Sequence, residues 1–334
     1  MNYRESAEAS RENKVNYLQG LESVLSARQE ELKAKRQEYI KGVFANSEKY
    51  REDFLDLLGW PFSEKKTALP DAQSVLLSEQ EDYTIYRMSF EVLKGLKFSG
   101  LFFKQKGDDK KPLVIVQHGG LGTPEAASGL YGDTSNYNDM TERVLNRGVH
   151  VFAPQLLLWA DDYGVPFNRV ELDAKLKRVG SSITAIEIWA ITRVLDYFEQ
   201  QDCVKNFGMV GMSYGGFYTL FTAATDTRIK AALSSSFFNS RDAVCWADWS
   251  LFQAAERFDD AEVACLVYPR KLWITVADRD ELFDAKNGTA SFEQIKEYAK
   301  EVGTEWISFT VFDGTHEFIK EDTPIKALVE ELQK

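Results

Sequence analysis

One serine in this chain sits where a hydroxyl can be turned into a nucleophile. Ser213 lies in Gly211-Met212-Ser213-Tyr214-Gly215-Gly216, directly after the apolar run Phe207-Gly208-Met209-Val210 and directly before a segment of helical character, Tyr214 to Thr225. A strand that passes at once into a helix must turn sharply. Only small flanking residues permit such a turn, and it thrusts the central side chain outward at the C-terminal edge of a sheet. A helix that begins at Tyr214 also aims its unpaired N–H groups at the same point. A glycine-rich turn with an incidental serine is the competing reading, and the strand–turn–helix context weighs against it.

A serine hydroxyl needs a base to take its proton, and the chain offers three histidines. His118 lies in a turn after Val116. His150 lies inside the apolar run Val149-His150-Val151-Phe152, where a hydrogen-bonded core imidazole is expected. His316, in Phe312-Asp313-Gly314-Thr315-His316-Glu317-Phe318, follows the last expected strand, in a loop that returns to the edge carrying Ser213. Elimination and position therefore agree on His316. The base in turn needs an acid to fix its tautomer. Asp278, Asp280 and Asp284 compete for that role after the run Leu272 to Ala277. Asp280 lies far enough past the strand to turn towards His316, whereas Asp278 and Asp284 suit loop capping. A developing oxyanion needs two donors, each worth about 3–4 kcal/mol of barrier. The amide of Tyr214 supplies one. The turn Gln117-His118-Gly119-Gly120-Leu121-Gly122 supplies the other, through Gly120 or, failing that, Leu121.

The elements that hold these groups are legible as short, almost wholly apolar runs: Leu113 to Val116, Val149 to Ala153, Phe207 to Val210, Ile229 to Leu233, Leu272 to Ala277 and Trp306 to Phe312. Such runs suit parallel strands buried on both faces. Tyr83 to Val92 and Leu96 to Lys104 read as an antiparallel pair with Gly95 at the turn. Helical segments alternate with the runs, at 135–146, 181–200, 214–225, 289–302 and 324–333, so a mostly parallel eight-stranded α/β sheet with helices on both faces is expected. Two connections, 154–179 and 237–267, are long and follow strand ends, where open α/β sheets bind ligands. Gln155 and Trp159 in the first, and Phe238 and Trp246 in the second, are the candidate substrate walls, with lid core as the alternative for the aromatics.

Residues 1–58 are rich in Glu, Lys, Arg, Gln and Ala and lack proline, which marks a helical extension. Leu18, Leu25, Leu32 and Tyr39 recur every seven residues, but the companion stripe fails at Arg28 and Lys35, against a long coiled coil. Helices packed on the main body are expected, with homodimerisation through them as the alternative. Gly59-Trp60-Pro61 ends this region, and a polar connector follows. The division is thus an extension over 1–80 and a catalytic domain over 81–334.

The net charge of −12 argues against nucleic-acid and anionic membrane partners, both of which need a basic face. No apolar run approaches the roughly 18 residues of a membrane span. Met1-Asn2-Tyr3-Arg4-Glu5 leads into further charge, and three scattered cysteines make neither a disulfide framework nor a metal site. A cytoplasmic protein with reduced thiols, no metal and no cofactor is expected.

Ser213, Asp280 and His316 in chain order, with the strand pattern, resemble the α/β-hydrolase fold from about residue 82 onward. Within that fold the chain resembles the dienelactone-hydrolase and acetyl xylan esterase-like branch, through His118-Gly119-Gly120, the Gly211 to Gly216 block, Asp226-Thr227-Arg228-Ile229-Lys230-Ala231 and Asp313-Gly314-Thr315-His316-Glu317-Phe318. It departs from that branch at Ala277, where a glycine is usual before the acid loop, and in its longer helical extension. The resemblance implies serine-dependent hydrolysis of small-molecule carboxylic esters, often short acyl groups on sugars, without a cofactor. The serine block also resembles prolyl oligopeptidases, whose propeller the extension is too short to supply. A C–C bond hydrolase would use the same three residues. A scaffold without chemistry is disfavoured by the presence of all three.

Overall fold

The computed structural model describes residues 2–64, 68–158 and 165–334. Nine strands form one sheet: β1 (Ala72–Glu79), β2 (Tyr83–Leu93), β3 (Leu96–Gln105), β4 (Lys111–Gln117), β5 (His150–Pro154), β6 (Val204–Met212), β7 (Ile229–Ser235), β8 (Lys271–Ala277) and β9 (Ile307–Phe312). Their spatial order is β1-β2-β3-β5-β4-β6-β7-β8-β9. β1, β2 and β3 pair antiparallel, as do β3 and β5, while every pair from β5 to β9 is parallel. The sheet thus has nine strands rather than the eight expected. The additional one, β1, lies in the segment read as a polar connector and pairs with β2 from Ala72 to Glu79. The sheet therefore begins before residue 81. β1 is an edge strand whose residues are mostly exposed, so it lacks the two-sided apolar pattern that betrays the inner strands.

The inner strands show why their runs are continuous. Successive side chains point to opposite faces, and both faces are covered. Leu113 and Ile115 of β4, Phe207 and Met209 of β6, and Leu272, Ile274 and Val276 of β8 join one buried cluster. Val114, Val116, Val210, Met212, Leu233 and Ala277 join the other. The first cluster is closed by α6 (Ile183–Phe198), α7 (Tyr214–Thr225), α8 (Asp260–Cys265) and α9 (Ala285–Tyr298); the second by α3 (Pro124–Ala127), α4 (Met140–Leu145) and α10 (Thr323–Gln333). α5 (Arg169–Arg178) lies within the first long connection.

In the extension, α1 (Ala7–Tyr39) and α2 (Ser47–Leu58) flank a short turn. Ile40, Val43, Phe54 and Leu58 are buried in the first cluster, so this end of the extension belongs to the main body. By contrast, residues 10–28 of α1 are exposed throughout. Among the described residues, no helix is long and apolar enough to cross a membrane.

Candidate active site

The chain leaves β4 for β5 on one side and reaches β6 on the other. A crevice must therefore open between the C-terminal ends of β4 and β6. β6 ends at Met212 and α7 starts at Tyr214, leaving Ser213 alone at the turn with φ 60° and ψ −124°. This is a left-handed backbone that non-glycine residues rarely adopt. It is held by the Ser213 N–H bond to the Ser235 carbonyl at 2.9 Å and by the Phe217 N–H bond to the Ser213 carbonyl at 3.0 Å. The glycines around it serve close approach: a side chain at Gly211 would overlap the Gly215 backbone, and one at Gly215 would overlap the carbonyl of Gln117.

His316 Nε2 lies 2.9 Å from Ser213 Oγ, and His316 Nδ1 lies 2.8 Å from Asp280 Oδ2. The other carboxylate oxygen of Asp280 accepts the N–H groups of Leu282 and Phe283 at 2.8 and 3.1 Å, which fixes the side chain. Asp278 instead accepts the Gly314 N–H at 3.0 Å and pairs with Arg279 at 3.1 Å. Asp284 caps α9 through the Lys286 N–H at 2.9 Å. Of the three aspartates, only Asp280 meets the histidine.

On the β4 side, the Leu156 N–H donates to His118 Nε2 at 3.1 Å, so the ring proton is on Nδ1, which faces the Gly119 carbonyl at 2.9 Å. The Gly122 N–H also reaches that carbonyl, at 3.2 Å. In a trans peptide the N–H points opposite to the C=O. Fixing the Gly119 carbonyl on His118 therefore turns the Gly120 N–H away from it, and Gly120 borders the cleft. Burial drives the His118 pKa down to about 4, against a partial offset from the Gly119 carbonyl, so the ring is neutral. His150 is buried as well, accepting the Gln105 N–H at 3.0 Å and facing the Cys203 carbonyl at 3.2 Å.

The cleft over Ser213 measures about 620 Å3. Gly119, Gly120, Leu121, Tyr137, Ser213, Tyr214, Trp246, Leu282 and His316 line it, together with the polar stretch Asp133 to Asn136. Trp246 stacks on Trp249 at 4.5 Å, and Trp249 stacks on Tyr214 at 4.7 Å, so one aromatic pile runs from the helix start to the cleft wall. Behind it, the Tyr214 hydroxyl donates to Asp248 at 3.0 Å, and Asp248 pairs with Arg169 at 2.6 Å. Arg169 pairs in turn with Glu187 at 2.9 Å. Burial, and then Asp248, push the Tyr214 phenol well above its ordinary pKa.

Two proposed walls are elsewhere. Gln155 extends the β3–β5 pairing through its N–H to Ser99 and turns its side chain onto the Leu156 carbonyl, beside a different cleft. Phe238 is core, 1% exposed and packed against Phe309. Trp159 lies outside the described residues. The polar wall at 133–137 was missed because residues 135–146 read as one helix. Instead Ser135–Tyr137 is a single 3-10 turn, and Ser135, Asn138 and Asp139 adopt positive φ, which ends the turn before α4. Among the described residues, no group of three or more His, Cys, Asp or Glu side chains could hold a metal ion.

The sheet order, the serine at the β6–α7 turn and the histidine after β9 define an α/β-hydrolase. Within that class the chain belongs to the dienelactone hydrolase family, whose model matches residues 98–328. It is a carboxylic ester hydrolase. No curated protein matches it. Its fold is similar to that of a Bacteroides fragilis protein assigned as an acetyl xylan esterase, with a TM-score of 0.66 and 12% identity over 80% of this chain and 74% of that one. It is similar also to a glucuronoyl esterase from Solibacter usitatus (0.61, 12%, covering 85% and 92%). Acetyl xylan esterase 1 from a Thermoanaerobacterium species (0.55, 18%, covering 86% and 93%) shares the fold too.

Proposed function

We propose that the chain hydrolyses short-acyl esters of small or sugar-like alcohols through an acyl-enzyme on Ser213. The observation that carries this reading is the unbroken hydrogen-bonded row from Ser213 Oγ through His316 to Asp280. In the proposed cycle, His316 Nε2 takes the hydroxyl proton as Oγ adds to the ester carbonyl carbon. The amides of Tyr214 and Gly120 receive the oxyanion. The C–O bond to the alcohol then breaks, and His316 returns the proton to the leaving oxygen. Water, deprotonated by the same ring, next attacks the acyl-enzyme and releases the acid. Asp280 remains ionised and holds Nδ1–H throughout. Trp246 offers a flat apolar face to the alcohol, and the adjoining Asp133 to Asn136 stretch offers polar groups to its hydroxyls, which suits a sugar-like ring. A structural neighbour named for acetyl xylan esters, in which the sugar is the alcohol, supports the same alcohol class.

The test is initial rates on p-nitrophenyl acetate, butyrate, octanoate and laurate, each beside Ser213→Ala. The expected result is a steep fall beyond butyrate and loss of activity in the variant. Equal rates for variant and wild type would remove Ser213 from the mechanism. A maximum at octanoate or laurate would overturn the short-acyl assignment.

A further inference from the structure

The two halves of the site sit on loops far apart in the chain, the glycine turn after β4 and the histidine loop after β9. One short segment touches both. Tyr137 is 7% exposed, and its hydroxyl accepts the Gly119 N–H at 2.9 Å. That hydroxyl occupies the space that any side chain at Gly122 would need. One residue earlier, Asn136 donates from Nδ2 to the His316 carbonyl at 3.0 Å and accepts the Phe318 N–H at 2.8 Å on its own carbonyl. One residue later, Asn138 donates to the Phe318 carbonyl at 2.7 Å and to Glu317 at 2.9 Å.

We infer that this turn is a strut that sets the oxyanion donors against the base, with Tyr137 as its positioning residue. The inference rests on the reading of Ser213, His316 and Gly120 given above. The geometry has a specific consequence. Gly119 is held at both ends, its N–H by Tyr137 and its carbonyl by His118. The peptide plane that carries the Gly120 N–H is held through the Gly119 carbonyl by His118 and Gly122, and Tyr137 holds the adjoining plane through the Gly119 N–H, from a turn whose Asn136 and Asn138 also hold the histidine loop. Loss of the hydroxyl frees the Gly119 N–H to seek another acceptor, and rotation of that plane shifts the Gly119 Cα and, with it, the next plane and its Gly120 amide. The transition state meets that amide more closely than the ground state does. The cost should therefore fall on kcat rather than KM.

The experiment is steady-state kinetics on p-nitrophenyl acetate with Tyr137→Phe, Asn136→Ala, the double variant and Ser213→Ala, with thermal unfolding followed for each. Tyr137→Phe is expected to lower kcat about 10- to 100-fold with KM nearly unchanged. Gly122→Ala, which displaces the hydroxyl from the opposite side, should reproduce that loss. The double variant should lose less than the product of the single losses, because either substitution already uncouples the strut. Activity that persists in Ser213→Ala would overturn the esterase mechanism itself. If Ser213→Ala is inactive and Tyr137→Phe keeps its full kcat, only the strut fails. A fall in unfolding temperature without a kcat change, a rise in KM alone, or fully multiplicative losses would each overturn it too.

Discussion

Asp278, Asp280 and Asp284 share one loop and one side-chain chemistry, yet their carboxylates have different employment. Asp280 meets His316 Nδ1, Asp278 holds the Gly314 N–H and Asp284 caps α9. An amide at position 280 would present an N–H to Nδ1 and drive the ring proton to Nε2, where it faces Ser213 and blocks the base. Asp280→Asn should therefore lower kcat by a factor on the order of 10^3–10^4. Asp278→Asn and Asp284→Asn should stay within about threefold, because an amide oxygen still accepts the loop N–H groups. Parallel kcat measurements decide this, and the reverse ranking would reassign the acid. At this scale the candidate site was legible where chemistry restricts the residue type: a serine between glycines at a strand end, and few histidines to choose from. Tyr137, Asn136 and Leu282 were not legible, because any residue type can line a wall and their places depend on contacts between distant segments. Gln155 was misplaced for a related reason. Its sequence position fits a strand end, but its N–H continues the β3–β5 pairing, which sends the side chain away from the cleft.

Elements differ in how visibly they announce themselves. Strands buried on both faces are apolar at most positions, and the runs that became β4 to β8 declared it. The Leu93↔Leu96 pairing likewise closes a tight turn at Gly95, with φ 80°, as its glycine suggested. β1 carries no such constraint and was lost in the connector. The extension mixes both cases. Its tip, residues 10–28, is exposed, while the last turn of α1 places Arg36 among buried acids. Arg36 lies 3.2 Å from Glu262 and 3.5 Å from Asp259, and it donates to the Ala255 carbonyl. These residues belong to the connection that carries Trp246. Removing residues 2–28 should leave kcat within about twofold. Arg36→Ala should cost about 3–5 kcal/mol, because it strands two buried carboxylates without their cation. Initial rates of the truncated chain check the first, and urea unfolding of both variants beside wild type checks the second. A truncation more damaging than Arg36→Ala would show that the exposed tip, rather than the last turn, supports the domain.

For the molecule as a whole, the same burial that packs the sheet on both faces makes it sensitive to acid. His118 and His150 are both held neutral, their pKa values lowered by burial from 6.5 to about 4. An imidazole that ordinarily titrates near 6.5 takes up its proton in the unfolded chain well before it does so in the fold. Above about pH 6.5 both states carry neutral rings, and the stability contribution is complete. As pH falls from there towards 4, the unfolded state binds more protons and the contribution is lost, on the order of 2–3 kcal/mol for each ring. Buried Asp260 acts with the opposite sign. Burial raises its carboxyl to about 7 although Arg241 opposes the shift, so its protonated form favours the fold as pH falls. The total slope therefore mixes the two, and a difference isolates one histidine. His150 accepts the Gln105 N–H and faces the Cys203 carbonyl, and glutamine has an acceptor and a donor for those two partners but no proton to gain. Unfolding free energies of wild type and His150→Gln, measured between pH 7.5 and 4.5, should diverge below about pH 6.5. The wild type should fall away faster, with a slope difference approaching one proton. Parallel curves across that window would mean that His150 titrates alike in both states and that its burial carries no pH cost.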